Sequence, residues 1–176
     1  MYFDSQIQRT TRIIQEQCKN IPGFNLSNLF CIEIDPNISK IHTKYGIPTH
    51  EGSLCDYLSD DNDVNYSQGF SNYRNYRYIG AHFDFQHQIL NGSQYILKFL
   101  DKHLYLQKEF TLSATFSQRI KGKSGTKGKY KFNIEFNKFE QKLIKKMSQK
   151  GYTYKNIQKY TYPKNMFFCI YKFKIS

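Results

Sequence analysis

Histidine, cysteine and carboxylate positions are the first to weigh for chemistry. His42, His50 and Cys55 could meet around a zinc ion, but their spacing fits no usual ligand pattern, and ordinary loop residues look the same. His82 and His87 are five apart, so on a strand they face opposite sides and cannot share one metal. Asp84 with a distant Glu135 is the nearest approach to the carboxylates of a metal nuclease, and nothing sets a third ligand beside them. Gly122-Lys123-Ser124 invites a phosphate-loop reading, yet Ser117 stands where that motif needs its first glycine. From these positions we read no catalytic residue, no metal ligand and no cofactor, and expect a protein that is not an enzyme.

Basic and aromatic residues carry a collective reading instead. Tyr73, Tyr76 and Tyr78 interleave with Arg74 and Arg77, which combines stacking faces with phosphate partners, although the same residues could edge an aromatic-rich core. Lys121, Lys123, Lys127 and Lys129 surround three glycines in KGKSGTKG, so a mobile basic tip could lie close against a nucleic-acid backbone. Arg119 and Lys131 flank that tip. The candidate RNA-binding set is therefore Arg74, Arg77, Arg119, Lys121, Lys123, Lys127, Lys129 and Lys131.

Net charge supports a polyanion partner. The 176 residues hold 26 Lys plus Arg against 14 Asp plus Glu, a formal +12. Residues 121–176 carry 15 of the bases and 2 of the acids, so the C-terminal third holds the whole excess. A Lys-rich surface can also be a merely solvated face. Residues 50–64, with five acids and no Lys or Arg, read as an exposed loop that would repel phosphate. Four cysteines without any C-x-x-C pair form neither a disulfide framework nor a zinc ribbon and favour a reducing compartment. The N-terminus lacks the apolar core of a secretory signal, and no run of apolar residues is long enough to span a bilayer. Abundant Lys, Ile, Phe, Tyr and Asn point to an AT-rich genome, organellar or from a protist or reduced bacterium.

The elements that would place this charge follow from periodicity. Residues 5–19 predict a helix, 29–34 a short buried strand ended by Asp35-Pro36-Asn37, and 42–74 show no sustained period. Residues 76–89 predict a strand with Ile79, Ala81, Phe83, Phe85 and Ile89 inward. Ser93 is read as the N-cap of a helix with Ile96, Leu97, Phe99, Leu100 and Leu104 in one stripe. A half-buried strand over 111–120 comes next, and 129–137 alternates Tyr130, Phe132, Ile134 and Phe136 against polar residues, giving a long hairpin with its basic tip at 121–128. A short helix over 138–149 stopped at Gly151 and a last strand over 166–175 complete one domain, 1–176, with 50–74 irregular. The expected class is α+β, a mostly antiparallel sheet with helices on one face.

From Tyr73 onward this succession resembles the universal large-subunit ribosomal protein L-five family. YRNYRYIGAHFDFQHQILNG is similar to that family's basic stretch and Ile-Gly strand, SQYILKFLDKHLYLQKEF to its helix and exit, and SGTKGKYKFNI to its Gly-rich turn and strand. Two departures stand out: the family's basic tRNA-facing loop maps onto the acidic 50–64, and its Phe-Pro-Glu is absent near Asn137-Lys138-Phe139-Glu140. The resemblance implies an rRNA-binding constituent of an organellar large ribosomal subunit in the mitochondrial matrix. Its partners would be 5S or large-subunit rRNA and neighbouring ribosomal proteins, with no small-molecule substrate and no membrane span. Two other readings are kept beside it: a small basic metal-dependent nuclease or nucleic-acid-modifying enzyme, and an accessory subunit of a mitochondrial membrane complex.

Overall fold

The computed structural model describes residues 16–20, 22–59, 78–103, 108–119, 125–162 and 165–176. The chain divides into two compact units, Met1–Tyr76 and Arg77–Ser176. Of the expected N-terminal helix, only 16–20 are described, and 16–18 are helical.

In the first unit, strand β1 (Cys31–Glu33) leads into helix α1 (Pro36–Lys44), and the chain returns as β2 (Thr49–Glu51), parallel to β1. Asp35 makes the junction: its side chain accepts the Asn37 N–H, and Pro36 opens the helix where a missing N–H costs nothing. Helix α2 (Leu54–Ser59) follows β2. Cys31, Ile32, Ile47, Leu54, Tyr57 and Leu58 are buried, and the Phe30 and Tyr57 rings sit 5.5 Å apart. This corrects the expectation of an exposed loop from residue 50: His50 is buried on β2, and α2 turns Leu54, Tyr57 and Leu58 inward. A three-residue strand and a six-residue helix are too short to show a period, which is why the sequence pattern there looks irregular.

In the second unit, β3 (Gly80–Gln88), α3 (Ile89–His103), β4 (Glu109–Ser117), α4 (Gly125–Gln149), β5 (Tyr152–Tyr162) and β6 (Met166–Ile175) form a four-stranded sheet with order β3-β4-β6-β5. β3 and β4 are parallel, with α3 as their crossover, while β6 pairs antiparallel with both β4 and β5. The architecture is α+β with a mostly antiparallel sheet, as its alternating patterns imply. One sheet face carries Phe83, Phe85, Phe116 and Phe167, and both helices pack on it: Phe99 of α3 lies 5.3 Å from Phe83, and Phe136 of α4 lies 4.7 Å from Phe167. Lys146 of α4 and Asp101 of α3 pair at 2.5 Å across the helix boundary.

Three expectations change here. The long basic hairpin does not form: residues 125–137 are the first half of the 25-residue α4, and the described part of the tip, from Gly125 on, is helical. Phe132 and Phe136 fit both a period of two and a helical repeat, but Phe139, Leu143 and Met147 continue only the helical one, and all five are buried. Ser93 is not a cap, since α3 begins at Ile89; its hydroxyl donates to the Leu90 carbonyl. Ile79 is 75% exposed because β3 starts only at Gly80. β5, whose YTYKNIQKYTY lacks a clean apolar alternation, is an edge strand held by its ladder to β6. Among the described residues no helix is long and apolar enough to cross a membrane.

Candidate functional site

The first unit sets a carboxylate at the carboxyl end of a parallel strand pair. Glu33 is the last residue of β1 and is 7% exposed. The Asp35 N–H donates to Glu33 Oε1 at 2.9 Å, and the Gly52 N–H donates to the Glu33 carbonyl at 2.9 Å. Register places Glu33 beside Glu51, the exposed last residue of β2. Gly52 takes φ 150, and a Cβ there would come within 2.9 Å of His50 Nε2, so the turn that closes on Glu33 requires glycine. Both strands of a parallel pair point their carboxyl ends at the same edge, where open α/β units bind ligands and where an acidic side chain takes ribose hydroxyls. Among the described residues the Asp35 N–H is the hydrogen-bond donor to the Glu33 carboxylate.

In the second unit, the sheet face opposite α3 and α4 holds His82, whose Nδ1 lies 2.9 Å from Ser113 Oγ and whose ring centroid is 6.0 Å from Phe168. Burial holds the His82 imidazole below its ordinary value, against the opposing pull of Asp84. Past the end of β4, Gln118 is buried, and its N–H donates to the Asn165 carbonyl at 2.7 Å.

The residues singled out from sequence are scattered over these elements. Arg119 is exposed two positions past β4, with its N–H donating to Ser117 Oγ. Lys127, Lys129 and Lys131 occupy the first turns of α4. Arg74, Arg77, Lys121 and Lys123 lie outside the described residues. His42 lies in α1, His50 in β2 and Cys55 in α2. Among the described residues no three His, Cys, Asp or Glu side chains gather where they could hold a metal ion. Glu33 is not among the residues singled out from sequence: LFCIEI followed by Asp35-Pro36 signals a strand and a turn, and only the return of β2 parallel to β1 sets the Glu33 carboxylate at the end of a paired strand edge.

No protein-family model matches the sequence, and no curated protein matches it. Among solved structures the chain is similar to LepI in complex with SAM, at 11% identity and a TM-score of 0.44, over 99% of this chain and 42% of LepI. It is also similar to the plantazolicin methyltransferase BpumL in complex with a pentazolic desmethylPZN analog and SAH, at 9% identity and a TM-score of 0.49, over 94% of this chain and 73% of BpumL. The chain spans less than half the length of LepI.

The ribosomal expectation is corrected on the structure: SGTKGKYKFNI, the piece that resembled a Gly-rich turn and strand, enters α4 from Gly125 on, and no family model supports the resemblance. With that resemblance go the rRNA and ribosomal-protein partners, the lack of catalysis and the lack of a small-molecule partner.

Proposed function

We propose that this chain is, or is part of, a nucleic-acid-modifying enzyme that takes a nucleoside-bearing cofactor at the carboxyl end of β1 and β2, with methyl transfer from S-adenosylmethionine as its reaction. The observation that carries the reading is Glu33, a carboxylate at the end of a parallel strand, fixed through Oε1 by the Asp35 N–H. Its role is to accept the ribose hydroxyls and so orient the nucleoside along the strand edge. When bound, the cofactor supplies an electrophilic methyl group on a sulfonium. The nucleic-acid half of the reading rests on the net charge of +12, and Arg74, Arg77, Arg119, Lys121, Lys123, Lys127, Lys129 and Lys131 are proposed as contacts to phosphate.

Calorimetric titration of the full chain with S-adenosylmethionine and with S-adenosylhomocysteine tests the cofactor. Saturable binding is expected, weakened about tenfold or more in Glu33→Gln, since hydrogen bonds to a charged group contribute roughly 1.5–3 kcal/mol. Gln keeps an acceptor for the Asp35 N–H, so the turn survives the substitution. Absence of binding by the wild-type chain, or equal affinity in the variant, would sink this reading.

A further inference from the structure

We infer that the outward face of α4 is a docking surface for single-stranded nucleic acid. The inference rests on the reading of the chain as an enzyme of nucleic acid and deepens it by naming the surface. α4 contains seven lysines and two acids, and its geometry sorts them. Phe132, Phe136, Phe139, Leu143 and Met147 are buried against the sheet. Both acids are already engaged: Glu135, at the border of the lysine face, pairs with Lys138 at 3.1 Å, and Glu140, on the side toward β5, pairs with Lys159 at 2.8 Å, with side chains 19% and 17% exposed.

Opposite the buried stripe, Lys127, Lys131, Lys138, Lys142 and Lys145 recur at helical spacing on one side of the cylinder. Lys127/Lys131 and Lys138/Lys142 are like-charged at i,i+4, an arrangement that opposes the helix when no anion is present. Among the described residues no ion pair is made by Lys127, Lys131, Lys142 or Lys145. From Lys127 to Lys145 the stripe covers roughly 27 Å at 1.5 Å per residue, the length of about eight stacked nucleotides at 3.4 Å per phosphate of one strand. Charge complementarity thus points to a phosphate chain. Tyr130, 71% exposed between Lys127 and Lys131, decides for a single strand, because its ring offers a stacking platform that a paired base cannot use.

The test is fluorescence anisotropy of the full chain with a labelled 12-nucleotide single strand, a duplex of the same length and vesicles of anionic phospholipid as competitor, each across a range of salt. Replacing Lys127, Lys131, Lys142 and Lys145 with Gln should reduce the slope of log affinity against log salt by about 2 to 3 units, given about 0.7 per phosphate on a single strand. The matching Lys→Arg set should keep the wild-type slope, and Tyr130→Ala should weaken single-strand binding several-fold at constant slope. Far-UV circular dichroism verifies that each variant retains its helix. An unchanged slope in the Gln set overturns the inference, as does duplex bound as tightly as single strand or a probe fully displaced by the vesicles. No cofactor is present in this assay, so its failure leaves the Glu33 reading standing, and failure of cofactor binding leaves this surface standing.

Discussion

The Tyr171 hydroxyl of β6 donates a hydrogen bond to Glu140 Oε1 of α4 at 2.9 Å, and Lys159 of β5 closes on the same carboxylate at 2.8 Å. Two strands and the longest described helix are thereby tied through one half-buried acid whose charge is balanced in place. Lys159 also lies 5.2 Å from the Phe136 ring centroid, which fixes its chain along the helix. Burial, with Cys169 and Glu140 close by, pushes the Tyr171 phenol well above its ordinary value, and burial likewise pushes the Cys169 thiol up to about 12.

Tyr171 should therefore stay protonated in the folded chain when exposed tyrosines ionise. Because its folded pKa lies above its unfolded one, its contribution to stability is complete below about pH 10 and declines as pH rises past it. Tyr171→Phe should lower stability by about 1.5–3 kcal/mol at pH 7 and flatten that alkaline decline. Urea unfolding at pH 7 and pH 10.5 measures both, and parallel pH curves for variant and wild type would refute the assignment.

Gly92 is buried where α3 crosses β3 and β4. A Cβ there would meet Phe85 Cδ2 at 2.8 Å and Phe116 Cε1 at 3.1 Å, in a layer where those two rings are 5.9 Å apart. Neither ring can move without displacing the other, so Gly92→Ala should cost about 1–3 kcal/mol despite the better helix propensity of alanine. A thermal midpoint equal to or above wild type would show that the layer yields freely.

His82 should make the fold acid-sensitive. Burial depresses its folded pKa below the ordinary 6.5, so the unfolded chain takes up a proton first as pH falls. Its stabilising contribution is present above about pH 6.5 and is lost on acidification toward the folded value. His82→Asn, which can still bond Ser113, should have a smaller stability difference between pH 7.5 and pH 5.5 than wild type in denaturant titrations.

The phase of α4 can be read by substitution. In a strand Tyr130 and Phe132 would share a face, whereas here Tyr130 is 71% exposed and Phe132 fully buried. Phe132→Ala should cost about 3–5 kcal/mol and Tyr130→Gln no more than about 0.5 kcal/mol. Equal costs in chemical denaturation would restore the strand.

Strong local patterns were legible without coordinates. The alternation of Leu112, Ala114 and Phe116 in β4, and of Cys169, Tyr171 and Phe173 in β6, is long enough to specify both the element and its inward face. The stripe of Ile96, Phe99 and Leu100 likewise identifies α3. Residues 125–137 were not decidable locally, because Phe132 and Phe136 satisfy two periods at once and only an aromatic layer able to receive Phe139 and Leu143 as well selects the helix. The parallel pairing of β1 with β2 was equally hidden: three residues per strand carry no period, and parallel register depends on a crossover helix rather than on a turn signal. Glu33 is legible as an acid at the end of a short strand, but it becomes a candidate ligand group only when β2 returns beside β1 and Gly52 closes the edge, since the strand ends exist as a binding edge only once the two are paired.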